Sequence, residues 1–251
     1  MLLAIETSGS TGGVALLDGE VLLGEVSLGT RETYSRRLIP MAEWLLARVG
    51  VTWQEIRYIA VGIGPGSFTG LRIGLAMAKG FAYSLGVPLY GIPSLDALAS
   101  HVSAAPGEIV CPVLDARKSQ VYGAWYRING ETGLPVPDSP PLALAPARLV
   151  SLLPAQGRIF FLGDGFVRYA SIFQDALGDR VVPVPGHLAH PRAATVGFIA
   201  SREVSRGKPP HDIMSLEPLY IRPSDAEITC AAREGVRSVA SQKRGGRGDV
   251  R

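Results

Sequence analysis

A glycine-rich run between an apolar strand-like segment and a helical pattern is the feature that most constrains how this chain can fold. The run covers residues 62–74, follows the apolar segment 58–61 and leads into a helical pattern that ends at Leu85. Glycine accepts positive φ and lets backbone approach backbone, so the run predicts a sharp strand-to-helix turn. Amides at the start of such a helix can hold an anion. The loop is either a plain turn or an anion site formed by Gly64, Gly66, Ser67, Thr69 and Gly70.

Composition limits the classes of protein to which the chain can belong. Its 251 residues, of which 47% are hydrophobic, suit one large domain or two lobes. No apolar stretch approaches the roughly 18 residues that span a membrane, and Glu6 interrupts the first apolar segment too early for a signal peptide. Cys111 and Cys230 show no pairing pattern. We therefore expect a cytoplasmic protein with reduced thiols and no membrane association.

The positive charge is concentrated at the C-terminus. The formal net charge is +3, yet residues 231–251 alone carry six basic and two acidic side chains, so the preceding 230 residues sum to −1. The folded body is therefore not basic. We predict that residues 224–251 form a basic, disordered tail, because they contain few large apolar side chains. Such a tail is either a solvated terminus or a contact for RNA phosphates.

The order of predicted elements indicates an α/β fold with two lobes. Three antiparallel strands open the chain, with Asp18-Gly19 as the hairpin signal between the second and third. Helices are predicted over 32–49 and 69–85, and they alternate with strands at 58–63 and 89–91. This pattern is typical of a mixed sheet flanked by helices. We assign residues 1–103 to a first lobe and residues 104–223 to a smaller second lobe.

The second lobe is less regular in sequence. Strands are predicted over 109–114, 120–128 and 158–162, and the proline-rich segment 133–147 is interpreted as a rigid connector. One helix is expected to follow Gly163-Asp164-Gly165 and to end at Leu177, and a last helix is expected over 193–205.

Both long helices of the first lobe carry apolar residues on more than one side, whereas a helix on a sheet usually has one apolar stripe. Either the helices lie inside a three-layer core, or one face packs on the sheet and another on a partner. Two such helices could supply the roughly 800 Å² per partner of a stable interface. The candidate interface residues are Leu38, Met41, Leu45, Leu71, Arg72, Leu75, Met77 and Ala78.

Residues with catalytic or metal-binding chemistry are sparse. The four histidines are scattered, no His-x-x-x-His or Cys-x-x-Cys occurs, and no Gly-x-Ser-x-Gly elbow is present. We therefore expect no catalytic residue, no metal and no cofactor. Glu6-Thr7-Ser8 lies where phosphotransferases of the actin and hexokinase type place an acidic residue and a phosphate-binding turn; the alternative for Glu6 is a surface or hairpin residue.

Several segments together resemble the bacterial TsaB (YeaZ) family. The resemblance covers about residues 1–223, and the glycine-rich sequence at 60–74 is highly specific for the family. Two positions depart from the family pattern, since Tyr34 replaces a histidine and Glu6 replaces an aspartate. The other matching segments are 3–8, 35–40, 79–80, 87–95, 115–118 with 121–122, 163–165 and 218–222.

The resemblance implies an ASKHA fold, which is actin-like and ribonuclease H-like, with two lobes. It implies a non-catalytic scaffold of the complex that forms N6-threonylcarbamoyladenosine at position 37 of ANN-decoding tRNAs. The scaffold would dock on TsaD through the first-lobe helices, and TsaE would join the two proteins. It would reach tRNA only indirectly, through the complex. When TsaD is absent, a homodimer is possible. The alternative is a stand-alone ASKHA-fold enzyme, either a glycoprotease-like metallopeptidase or a small-molecule kinase.

Overall fold

The computed structural model describes residues 1–30 and 32–222. The chain divides into two units, Met1–Ile221 and Arg222–Arg251. All helices and strands given below belong to the first unit. The predicted tail at 224–251 and Cys230 lie outside the described residues.

The first sheet is built from five strands: β1 (Leu2–Glu6), β2 (Gly12–Asp18), β3 (Val21–Leu28), β4 (Tyr58–Gly64) and β5 (Leu89–Pro93). Their order is β3-β2-β1-β4-β5, with β1 to β3 antiparallel and β1, β4 and β5 parallel. The hairpin forms where the sequence predicts it, although Asp18 already pairs with Val21 and the turn falls on the next two residues. Gly19 supplies the positive φ that this turn needs.

Helices α1 (Tyr34–Val49), α2 (Phe68–Leu85) and α3 (Ser94–Ala99) follow the strands of this sheet. Side chains of a strand alternate between the two faces of its sheet. Leu3 and Ile5 of β1 accordingly pack in one core cluster with α1 and α2, whereas Leu2 and Ala4 lie in a second cluster. Burial on both faces explains why residues 2–5 of β1 form an unbroken apolar run.

The second sheet contains β6 (Ile109–Arg117), β7 (Gln120–Gly123), β8 (Tyr126–Ile128), β9 (Pro135–Pro137), β10 (Leu142–Leu144), β11 (Ile159–Leu162) and β12 (Val181–Pro183). The main path is β10-β7-β6-β11-β12, and β8 pairs with β6 and β9. Helices α4 (Pro146–Leu152), α5 (Asp164–Arg168) and α6 (Ala170–Leu177) accompany these strands.

Three predictions for this half need correction. The strand expected over 120–128 is two strands, β7 and β8, and the single helix expected to end at Leu177 is α5 and α6, interrupted at Tyr169. The expected connector at 133–147 contains β9 and β10 and enters α4. Pro146 does not prevent that helix, because it occupies the first turn, where no amide donor is needed.

The last helix, α7 (Ala193–Ser205), has the predicted bounds but returns to the first sheet, where it packs on β1 and β2. It forms the second core cluster with residues such as Leu2, Ala4 and Leu17. A Cβ on Gly197 would lie 2.2 Å from Leu17 Cδ1, so the helix and the sheet are in close contact. The two faces of the first sheet are thus covered by helices of different predicted lobes, since α7 belongs to the predicted second lobe. Within the described residues, no helix combines the length and apolarity needed to cross a membrane.

Candidate functional site

A buried polar turn lies at the carboxyl end of β1. Glu6 and Thr7 are fully buried and Ser8 is 4% exposed, so Glu6 is not a surface residue. Glu6 Oε1 accepts a hydrogen bond from the Ser8 amide. Burial raises the pKa of Glu6, and the hydrogen bonds from Ser8 only partly oppose this. Glu6 Oε2, Thr7 Oγ1 and Ser8 Oγ have no partner among the described residues.

The glycine-rich run lies directly against this turn. A Cβ added to Gly62 would be 2.0 Å from Glu6 Oε2, and one added to Gly74 would be 2.1 Å from Thr7 Oγ1. Gly70 would meet the Thr7 carbonyl oxygen at 2.1 Å. Any side chain at these positions would require the turn to move. The glycines are therefore needed for the close approach of β4 and α2 to the end of β1.

The start of α2 is held by local hydrogen bonds. The Ser67 amide donates to the Ser8 carbonyl at 2.7 Å, and Ser67 Oγ accepts from the Gly70 amide at 3.3 Å. Gly64 has a φ of 105°, which fits the predicted sharp turn. The Ser67 and Gly70 amides are thus already used inside the fold. Anion binding by Gly64, Gly66, Ser67, Thr69 and Gly70 stays a prediction.

His101 and His211 have separate packing roles. His101 Nε2 contacts Thr195 Oγ1 at 2.9 Å, and burial lowers the pKa of His101. His211 Nδ1 accepts a hydrogen bond from the Gly91 amide. In residues 1–30 and 32–222, no group of three or more His, Cys, Asp or Glu side chains is arranged to hold a metal ion.

The second lobe has its own polar turn at the end of β6. Asp164 Oδ1 accepts from the Asp115 amide at 3.0 Å, while Asp115 pairs with Arg168 at 2.8 Å and accepts from the Arg117 amide. Residues 117–119 all have positive φ, although none is glycine. These carboxylates are engaged in holding the β6–β7 hairpin, in contrast to the partner-less oxygens at the end of β1.

The structure places most of the predicted interface residues in the core. Arg72 is exposed and Met77 is half-buried. The other six are at most 6% exposed and lie in the core instead of on the surface, and their contact with a partner stays a prediction: Leu38, Met41, Leu45, Leu71, Leu75 and Ala78.

A different side of α1 and α2 is exposed, and on α1 it carries Arg36, Glu43 and Arg48 beside apolar residues. Trp44 is 55% exposed and Tyr83 is 78% exposed. Gly80 has nothing within 4 Å of an added Cβ, so a neighbouring helix could approach closely there. The spacing of Arg72, Ala76 and Gly80 at successive i+4 positions is the sequence signal for this side. We call the following set the outward face: Ile39, Trp44, Arg72, Ala76, Gly80 and Tyr83.

The chain itself covers the other apolar sides of α2. Phe81 lies with its ring centroid 5.0 Å from that of Trp53, and Met77 packs against the same core. On another flank, residues 211–220 run along the helix, where Lys79 Nζ donates to the Met214 carbonyl and Tyr220 stacks on Phe68. The internal-core interpretation therefore explains these sides, whereas the outward face is exposed in the part of the chain that the structure describes.

Comparison with known proteins identifies the family. The family model described as "TsaD: tRNA N6-adenosine threonylcarbamoyltransferase" matches residues 28–230. The "tRNA threonylcarbamoyladenosine biosynthesis protein TsaB" of Bacillus subtilis is 32% identical over 228 residues, which cover 90% of this chain and 96% of the relative. The chain belongs to the TsaB (YeaZ) family. A relative of the same name in Escherichia coli is 29% identical, with 88% of this chain and 94% of the relative covered.

Solved structures agree with this membership. "YeaZ from Pseudomonas aeruginosa" is 28% identical with a TM-score of 0.74, covering 87% of this chain and 98% of that one. A second structure from that organism, described as similar to "peptidase YEAZ", has a TM-score of 0.76 at 28% identity, covering 88% and 99%. The predicted α/β fold, with a mixed sheet flanked by helices, is confirmed. Family membership makes this a protein of threonylcarbamoyladenosine biosynthesis.

Proposed function

We propose that this TsaB-family chain is a non-catalytic scaffold subunit of the complex that forms N6-threonylcarbamoyladenosine at position 37 of ANN-decoding tRNAs. Its outward face docks on the transferase TsaD, TsaE joins the pair, and tRNA is reached through the complex. The observation that carries the proposal is the exposed, largely apolar outward face of α1 and α2.

The polar turn at the end of β1 supports a non-catalytic role. An acidic residue at this point of the fold would serve phosphate chemistry only if a ligand could reach it. Glu6 is instead fully buried, and backbone of the glycine-rich run lies against its carboxyl group. The residues that would perform chemistry in an enzyme are closed off in this chain.

The composition of the outward face supports docking. Trp44 and Tyr83 would each bury roughly 150–250 Å² on binding, and Ile39 adds a third exposed apolar side chain. Together with the surface around Ala76 and Gly80 they approach the roughly 800 Å² per partner of a standard interface. Aromatic residues around a close helix contact are typical of residues that dominate binding. A second copy of the chain would use the same face when TsaD is absent.

Reconstitution tests the proposal. The purified chain, incubated alone with ATP or with protein substrates, is expected to show no turnover, and equilibrium dialysis is expected to show no tight binding of zinc, iron or ATP. Added to TsaD, TsaE, threonylcarbamoyl-AMP and tRNA, it should restore formation of the modified nucleoside. The matched control is Glu6→Ala, measured in both assays. Turnover by the chain alone that Glu6→Ala abolishes would establish an enzyme and overturn the scaffold.

A further inference from the structure

Arg72 is the one charged member of the outward face, and the fold holds its guanidinium in a defined position. The guanidinium carbon lies 3.9 Å from the centroid of the Phe68 ring. Nε donates a hydrogen bond to the Tyr220 hydroxyl at 3.0 Å, and the Phe68 and Tyr220 rings stack with centroids 5.1 Å apart. Such contacts reduce the side-chain entropy that Arg72 would lose on binding a partner.

The guanidinium keeps hydrogen-bonding capacity for a ligand. A guanidinium has five N–H donors, and the bond to Tyr220 uses only the one on Nε. Across residues 1–30 and 32–222, none of the ion pairs includes Arg72. The two terminal nitrogens match the spacing of a carboxylate, which accepts two parallel N–H bonds. Arg72 is thus an oriented, exposed cation that lacks an anionic partner in the described chain.

We propose that Arg72 is a preorganised anchor that binds an aspartate or glutamate carboxylate of the docking subunit TsaD. This inference rests on the proposed function and specifies the chemistry of its interface. The apolar surroundings, with Ala76 and Tyr83 on the same side of α2, exclude water when the surface is covered and so strengthen the ion pair.

The charge of the outward face favours a protein over RNA. A nucleic-acid surface needs several cations to neutralise successive phosphates. Here Arg72 is accompanied by exposed aromatic and small residues, Lys79 donates to the Met214 carbonyl, and Glu43 of α1 is exposed. Arg48 is also exposed, and its guanidinium carbon lies 5.6 Å from the centroid of the Trp44 ring. The cations are thus interspersed with aromatic and acidic side chains, which is the composition of a protein interface that contains arginine anchors.

Tyr220 is a positioning residue in this arrangement. It lies 148 positions after Arg72 in sequence, and the segment that carries it is tied to β4 by the bond from the Leu219 amide to the Ile63 carbonyl. The segment thus extends the docking surface beyond the two helices.

The test measures the affinity of full-length variants for purified TsaD of the same organism by titration calorimetry, over a range of salt concentrations. Arg72→Ala should raise Kd on the order of 30-fold, and Arg72→Lys should raise it on the order of 10-fold, because an ammonium lacks the planar fork. Tyr220→Phe, which keeps the ring but loses the hydroxyl, should raise Kd about threefold. Arg148→Ala, on exposed helix α4, is the matched control and should bind like the parent.

The salt dependence distinguishes an ion pair from a structural role. The Kd of the parent should rise with salt concentration, and the Kd of Arg72→Ala should rise less steeply. A change that only loosened residues 211–220 would leave the slope of Kd against salt concentration unchanged. Thermal unfolding of each variant verifies that the fold is kept. Gly80→Leu serves as the reference that blocks the outward face without altering charge.

The outcomes separate this inference from the proposed function. If Gly80→Leu abolishes binding while Arg72→Ala binds within twofold of the parent, docking stands and the carboxylate anchor is overturned. If both variants bind TsaD like the parent, the outward face is not the docking surface and both proposals fail. If Arg72→Ala disrupts only self-association of the chain, the anchor's partner is a second copy and the inference is overturned.

Discussion

Two sides of helix α2 have similar small and apolar residues but opposite environments. On the inward side, Gly74 lies so close to Thr7 that an added Cβ would be 2.1 Å from its hydroxyl oxygen. On the outward side, Gly80 has open space around it. The inward glycine is required by packing within the chain, whereas the outward glycine is required by nothing in the chain. An apolar side of a helix therefore indicates that the side packs against something. Whether it packs within the chain or against a partner depends on the fold.

A charge placed on each side should give the largest difference. Leu75 is 5% exposed, so Leu75→Arg should lower the free energy of unfolding by about 3–5 kcal/mol, because it buries an unpaired charge. Ala76→Arg, one position along, places the charge in solvent and should melt like the parent. Circular dichroism during heating measures both. Equal melting of the two variants would remove the distinction between the sides.

A methyl group added at Gly74 and at Gly80 should have opposite effects on stability. Gly74→Ala should destabilise the fold by about 1–3 kcal/mol, because the Cβ overlaps Thr7. Gly80→Ala should stabilise it by up to about 1 kcal/mol, since alanine is the better helix former and meets no atom there. Urea denaturation of the two variants gives both free energies. A destabilised Gly80→Ala variant would show that this position is packed in the chain after all.

The first sheet and its helices were predictable because their sequence patterns and their environments agree. The apolar runs of β1 and β4, the hairpin at Gly19 and the helix bounds at Leu85 and Gly86 all depend on local residue types. The glycine-rich run also fixed the turn before α2. The same periodicity could not separate the inward from the outward side of α2, because residues 211–220, which cover one flank, follow the helix by more than 120 positions.

The second lobe was less predictable because its elements are short and depend on distant contacts. Arg117, Lys118 and Ser119 rarely adopt positive φ, and their conformation is held by Asp115, which Asp164 and Arg168 fix from another part of the chain. Of the outward face, only Arg72 was among the predicted interface residues. The other candidates were mostly the large apolar residues of each helix, and these are the ones that a core buries first.

A smaller effect is expected at the polar turn beneath the inward side. Burial raises the pKa of Glu6 above its ordinary value of 4.5, so the folded state keeps a proton that the unfolded chain has already lost. The stability that this provides is present below that value and is lost as the pH rises toward the folded-state pKa. Glu6→Gln cannot titrate. The parent should therefore lose stability relative to Glu6→Gln as the pH rises above 4.5.

Urea denaturation across that pH range measures the difference. Asp18→Asn, which removes an exposed carboxyl at the end of β2, controls for the general effect of charge. Parallel stability curves for the parent and Glu6→Gln would show that Glu6 is solvated and that the turn is open to ligands.

The affinity of Gly80→Leu for TsaD is the most direct test of docking through the outward face. Gly80 is exposed and an added Cβ has nothing within 4 Å of it outside its own helix, so the variant should melt close to the temperature of the parent. It should nevertheless lose on the order of 100-fold in affinity, because leucine occupies the space of the incoming helix. Val167→Arg, at a 63% exposed apolar residue of the second lobe, should bind like the parent. Full-affinity binding by Gly80→Leu, or loss of binding by Val167→Arg, would contradict docking through the outward face.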